Sequence, residues 1–187
     1  MNGCARWGGH GGTMQDSNTH LPPAAHGRAT DERSPDERIT AVIEGTRDLL
    51  ARIGGALDAD VVVLHRPADS SVTTVASWRR VASLRLLEEP VPANWFPWNL
   101  GNLHAAEHVF VRNAGRLRPH PGSAETLGDL GAGSAVHLAV RAGTHTLGGV
   151  CAYWSAERER WDHADAAAIT ELARRALELS PPHPLSP

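Results

Sequence analysis

The chain reads as an α+β domain built on a mostly antiparallel sheet, and three observations lead there. A capped amphipathic helix opens the region rich in apolar residues, five strand-like runs follow it, and a second amphipathic helix closes it. Each end helix carries a single apolar face, so both need cover from the sheet and share one side of it.

The opening helix begins at Ser34-Pro35-Asp36-Glu37. Ser34 is a good N-cap, Pro35 suits the first helical position, and Glu37 completes a capping box. Behind it Ile39, Val42, Ile43, Thr46, Leu49, Leu50 and Ile53 recur at helical spacing, and Gly54-Gly55 is expected to end or loosen the helix. Asp60 to His65 is β-branched and apolar on both faces, as in an inner strand. Ser71 to Trp78 follows after a polar connection, which predicts a hairpin. Pro90 and Pro92 keep the stretch from Arg79 to Asn94 irregular. Phe96, Leu100 and Leu103 predict a short helix over 96–106, His108 to Arg112 a short strand, and Ser123 to Leu130 a short helix stopped by Gly131. The runs Ser134–Val140 and Thr146–Trp154 predict a hairpin turning at Gly143. The last helix is expected to start at Asp162 as its cap. Its stripe is Ile169, Leu172, Ala173, Ala176 and Leu177, with Glu171, Arg174, Arg175 and Glu178 turned outward.

Residues 1–33 are rich in Gly, His and Pro with few apolar anchors, so a disordered tail is expected, and translation from Met14 instead of Met1 is left open. The domain is placed at 34–180, with a short tail over 181–187. The chain has 187 residues, which suits one core of this size. Eighteen basic residues, all Arg, against 21 acidic ones leave a formal net charge of −3, which excludes a dedicated nucleic-acid binder. No apolar stretch reaches the roughly 20 residues of a membrane helix. Two cysteines, Cys4 and Cys151, make no disulfide scaffold, so a reduced, cytoplasmic setting without membrane attachment is expected.

The order of pieces resembles the GAF domains of bacterial sensor histidine kinases and signalling proteins, over roughly Ile39 to Leu179. The residues that carry the resemblance are Ala56-Leu57-Asp58-Ala59-Asp60 leading into the Val61–His65 strand, Trp78 closing the next, and Phe96-Pro97-Trp98 before a short helix. They continue with Glu107-His108-Val109-Phe110-Val111, Gly131 to Val140, Leu147-Gly148-Gly149-Val150, and Arg160-Trp161-Asp162 before the final helix. Ala139 stands where such domains commonly have Pro. The resemblance implies a GAF-like, mostly antiparallel six-stranded sheet, with the N- and C-terminal helices on one face and short helices and loops over a pocket on the other. It also implies small-molecule binding (cyclic nucleotides, tetrapyrroles, haem, amino acids) or a dimerising input module, with a histidine kinase or response regulator as a possible partner. About eight residues follow Leu179, so output through partners or a homodimer is expected.

Candidate pocket residues are Trp78, Trp95, Trp98, His104, His137, Cys151 and Tyr153. Tryptophan faces stack on planar ligands, but Trp95 and Trp98 fit the core better than the pocket lining. His137 fits a hydrogen-bonded core position as well as a ligand contact. Cys151, mid-strand with no basic neighbour in sequence, behaves as a small apolar side chain. Trp161 is expected to be a packing anchor. Which face of the last two strands lines the pocket depends on a hairpin register that the turn does not fix.

His104-Ala105-Ala106-Glu107-His108 spells H-x-x-E-H, a zinc-ligand spacing when it lies on one helix. The expected helix ends near Ala106 and puts His108 on the next strand, so His104, Glu107 and His108 stand as weak metal candidates only. The chain has no G-x-S-x-G, P-loop or C-x-x-C. It also lacks the second domain cysteine of the GAF methionine-sulfoxide reductases, and no Cys sits in a helix or loop for tetrapyrrole attachment. The sequence therefore reads as a non-enzymatic sensory or regulatory domain that binds an unidentified small molecule. The alternative is a ligand-free interaction module, and the residues name no cofactor.

Overall fold

The computed structural model describes residues 34–68, 71–86, 91–92, 108–116, 127–128 and 130–180. The expected N-terminal tail, the helix over 96–106, the start of the helix at 123 and the C-terminal tail lie outside the described residues. So do Trp95, Trp98, His104 and Glu107.

Helix α1 spans Pro35–Leu57, and both halves of its capping box are formed: Ser34 Oγ accepts from Glu37 N at 3.2 Å, and Glu37 Oε2 accepts from Ser34 N at 2.7 Å. Ser34→Ala is expected to cost about 1 kcal/mol of unfolding free energy, read from the urea midpoint at unchanged m. The Gly54-Gly55 pair does not end the helix. Asp58 does, in the left-handed conformation (φ 48°), with its N–H turned back to the Gly54 and Gly55 carbonyls. Gly54 instead permits a close approach, since a Cβ there would lie inside the Trp78 ring.

Strands β1 (Val61–Pro67), β2 (Ser71–Arg79), β3 (Val91–Pro92), β4 (His108–Val111), β5 (Ser134–Ala142) and β6 (His145–Trp154) form one sheet in the order β3-β2-β1-β6-β5-β4. Every pair is antiparallel, and the edge piece β3 is only two residues long. Gly143 (φ 58°) supplies the left-handed residue of the β5–β6 turn, and Gly131 (φ 72°) ends the helical residues before β5.

Helix α2 runs Ala166–Leu179, three residues later than a cap at Asp162 would start it. Asp162 closes a turn ahead of it, accepting from Ala164 N at 2.9 Å, and Asp165 occupies the cap without a side-chain bond. The outward charges pair as their spacing predicts: Arg174 with Glu171 at 2.8 Å and with Glu178, and Arg175 with Glu171 at 2.9 Å.

Both end helices cover the same sheet face. Leu50, Ile53 and Leu57 of α1 and Ile169, Ala173, Ala176 and Leu177 of α2 bury against Val62, Leu64, Val136, Leu138, Val140, Val150, Ala152 and Trp154. Trp161 is buried in this layer, as expected of an anchor. The apolar stripe of α1 outruns the sheet, however. Ile39 and Ile43 stay 59% and 47% exposed, and Leu179 of α2 41%. A charged corner fixes the α1–β1 turn: Arg80 bridges Asp58 (2.5 Å) and Asp60 (2.9 Å), and Arg158 binds Asp58 at 2.8 Å. Burial works to raise the Asp60 pKa, but the Ser155 N–H, Arg80 and the Ser155 hydroxyl outweigh it and hold the carboxyl below its ordinary value.

Candidate functional site

The register left open by the sequence is settled by the β5–β6 pairing, in which His137 faces Cys151, Ala135 faces Tyr153 and Ala139 faces Gly149. With β1 alongside, Cys151 also faces Val63, Tyr153 faces Val61 and Gly149 faces His65. The sheet face away from the helices therefore carries three rows: Val61–Tyr153–Ala135, Val63–Cys151–His137 and His65–Gly149–Ala139. Leu84, Leu127, Leu130, Val111 and Ala114 pack over the Tyr153 end. Apart from Val63, the two rows further along β1 carry small and polar side chains in place of the Val and Leu of the helix face.

Three candidates, His137, Cys151 and Tyr153, come together here and are all buried. Cys151 Sγ lies 2.5 Å from His137 Nδ1, and the Tyr153 ring meets the His137 ring edge-on at 5.6 Å. Burial, and then the nearby His65, pushes the His137 pKa well below its ordinary value. Burial pushes the Cys151 thiol well up, outweighing its hydrogen bond with Tyr153. Both shifts favour the neutral forms, a thiol against an imidazole. Cys151 is expected to react with a thiol reagent at least about a hundredfold more slowly in the native protein than in urea-unfolded chain, as absorbance of the released thiolate would show.

Sequence reasoning missed His65. It is buried on the same face, next to Tyr153 and Val63, and burial lowers its pKa to about 4. The signal was its place two residues after Val63 in an alternating strand. Trp78, by contrast, does not join the other candidates. Its ring lies under Gly54 of α1, against the helix-side core.

His108 lies on β4, opposite Leu138, as the expected helix end required. Its ring neighbours are Trp161, edge-on at 5.1 Å, and His163 at 4.5 Å. Among the described residues no group of three or more His, Cys, Asp and Glu side chains is arranged to hold a metal ion, and no helix is long and apolar enough to cross a membrane. Larger concavities of about 630 and 710 Å³ flank the start of α2, the first with Trp154, Arg158 and Asp165, the second with His108, Arg141 and Arg174. Between Val63, His65, Arg85, Leu86, Leu130 and Tyr153 lies a small open space of about 10 Å³.

No family model and no curated protein sequence matches the chain. Solved structures do. The blue-light-absorbing form of the Thermosynechococcus elongatus PixJ GAF domain superposes with a TM-score of 0.62 at 13% identity, over 76% of this chain and 86% of that one. A GAF domain/HD domain protein from Geobacter sulfurreducens gives 0.59 at 17% identity, over 76% and 93%. The chromophore-binding domain of a bacteriophytochrome from R. palustris gives 0.55 at 15%, over 78% and 61%. The fold is that of GAF domains.

Proposed function

Proceeding from the GAF fold, we propose that this chain is a non-enzymatic sensory or regulatory domain. It holds a small planar or apolar molecule on the sheet face away from its helices and passes the binding event on through those helices. The observation that carries this reading is the make-up of that face. His65, His137, Cys151 and Tyr153 are buried there beside Ala139 and the side-chain-free Gly149, on a sheet whose other face is closed with Val, Leu and Trp. Groups that favour their neutral forms suit an uncharged ring system with a few hydrogen-bonding edges. The similarity to proteins described as chromophore-binding supports the ligand class. The burial of Cys151, paired with His137, favours a non-covalent hold.

Output is assigned to a homodimer through the end helices, with a kinase or response regulator as downstream partner. Along α1 the positions 39, 43, 46, 50, 53 and 57 are spaced alternately by four and three. The last four bury in the domain while Ile39 and Ile43 remain exposed. Two copies that join these ends cover the exposed third of one stripe.

The test is a melting-temperature screen of the purified chain with biliverdin, haem, cyclic AMP and cyclic GMP, joined to mass spectrometry of whatever small molecule co-purifies. At a hundred times Kd a ligand adds about 2.7 kcal/mol, a rise of several degrees. No shift and no extracted molecule would sink the sensor reading. A second reading, a ligand-free interaction module, is favoured by the void of about 10 Å³, which admits one water at most. Under it the ligand screen is blank while a dimer persists, and Ile43→Glu converts that dimer to monomer in light scattering.

A further inference from the structure

From the contacts around β1 we infer that the His65–Arg66 step is the link between the candidate site and the α1–α2 end that carries Ile39, Ile43 and Leu179. The inference rests on the sensor reading above and names its regulation. Adjacent strand residues point to opposite faces. His65 belongs to the site face, and the Arg66 side chain crosses to the helix layer, where Nη2 donates to the carbonyls of Leu177 at 2.9 Å and Ser180 at 2.8 Å. Those are among the last carbonyls of α2, which the helix itself leaves without donors, and a cation there also complements the helix dipole.

Two further contacts tie the same turn to both neighbours. Thr46 Oγ1 donates to Val42 O at 2.8 Å, so in its 3.2 Å contact with Ser180 Oγ the serine is the donor, which joins α1 to the end of α2. Gly148 leaves the space in which the His65 carbonyl and the Leu177 side chain lie against β6, and Leu179 sits over Gly45 of α1. The pairing of β1 with β2 is irregular just before this step: Val75 of β2 is an extra residue opposite Leu64–His65, and the paired ladder to β6 ends at His65. A group that engages His65 therefore acts on a strand segment whose next side chain holds the final turn of α2, the turn whose Leu179 lies over Gly45 of α1.

The test is a double-mutant cycle read by hydrogen exchange on the full chain: wild type, His65→Gln, Arg66→Met and the double variant, with peptides covering 175–180 and 39–46. His65→Gln is expected to speed exchange of the 177–180 amides by roughly three- to tenfold when Arg66 is present and to add nothing on top of Arg66→Met. A loss of helix-end anchoring alone would make the two effects multiply independently, and that result, or no effect of His65→Gln at 177–180, overturns the link. Should Arg66→Met lose its native circular dichroism, Arg66→Lys replaces it, keeping the cation but not the span across two carbonyls. Coupling undiminished in Arg66→Lys overturns the link as well. No ligand enters this cycle, so its failure leaves the sensor reading standing, and a blank ligand screen leaves the cycle intact.

Discussion

Gly148→Ala is expected to destabilise the domain by about 3 kcal/mol or more, a large part of the stability of a fold this size. The added methyl would overlap the His65 carbonyl oxygen and crowd both methyls of Leu177. The carbonyl belongs to a central strand flanked by β2 and β6, so it cannot step aside, and Leu177 is pinned between sheet and helix. Two other glycines calibrate the effect. Gly55 has open space where a Cβ would go and lies inside α1, so Gly55→Ala is expected to stabilise by about 0.5–1 kcal/mol. Gly143 also has open space but sits at φ 58°, so Gly143→Ala costs about 1 kcal/mol through backbone strain alone. Urea midpoints of the three variants rank the causes. A Gly148→Ala protein whose midpoint matches that of wild type would mean that β1, β6 and α2 do not approach as described.

How much of this was legible in the sequence depends on range. Local chemistry read well. The Ser34–Glu37 box, the two hairpins with their left-handed Gly143, and the outward Glu171–Arg174–Arg175 pairs all follow from residues close together along the chain. The shared helix face followed from two one-sided stripes and a single sheet. Boundaries failed where a residue played a part set by a distant neighbour. Gly54 resembles a helix stop until Trp78 supplies the reason for it, and the cap role passes to Asp58, held by Arg80 and Arg158 from far along the chain. Ile39 and Ile43 continue a stripe that the sheet is too short to cover. The site itself was legible as a set of residue types and not as an arrangement. His137 reaches Cys151 across a hairpin whose register changes at Val140/Arg141, and His65 enters from a strand far away in sequence.

The second large effect is loss of stability in mild acid. Burial holds the folded His65 pKa at about 4, against about 6.5 in the unfolded chain, and His137 lies below its ordinary value for the same reason. Between those two values the unfolded chain binds protons that the folded one refuses, so unfolding free energy falls as pH falls. It is fully present above about 6.5 and declines until about 4, where both states bind the proton. His65 alone carries about 3 kcal/mol over that window, and His137 adds in the same direction. The paired carboxylates act lower down. Asp58, bound by Arg80 and Arg158, and Glu171, drawn to about 2 by Arg174 and Arg175, stabilise the fold above their unfolded values near 4 and lose that contribution as pH drops through the folded ones. The expected curve of urea-derived stability is therefore flat above about pH 7 and slopes down from about 6.5 to about 4 with an uptake of roughly one to two protons. His65→Gln removes close to one proton from that slope. A wild-type curve level between about pH 6.5 and 4.5 would place both imidazoles in contact with water or with an acid, and the buried polar face would no longer be the closed, neutral surface on which the ligand reading depends.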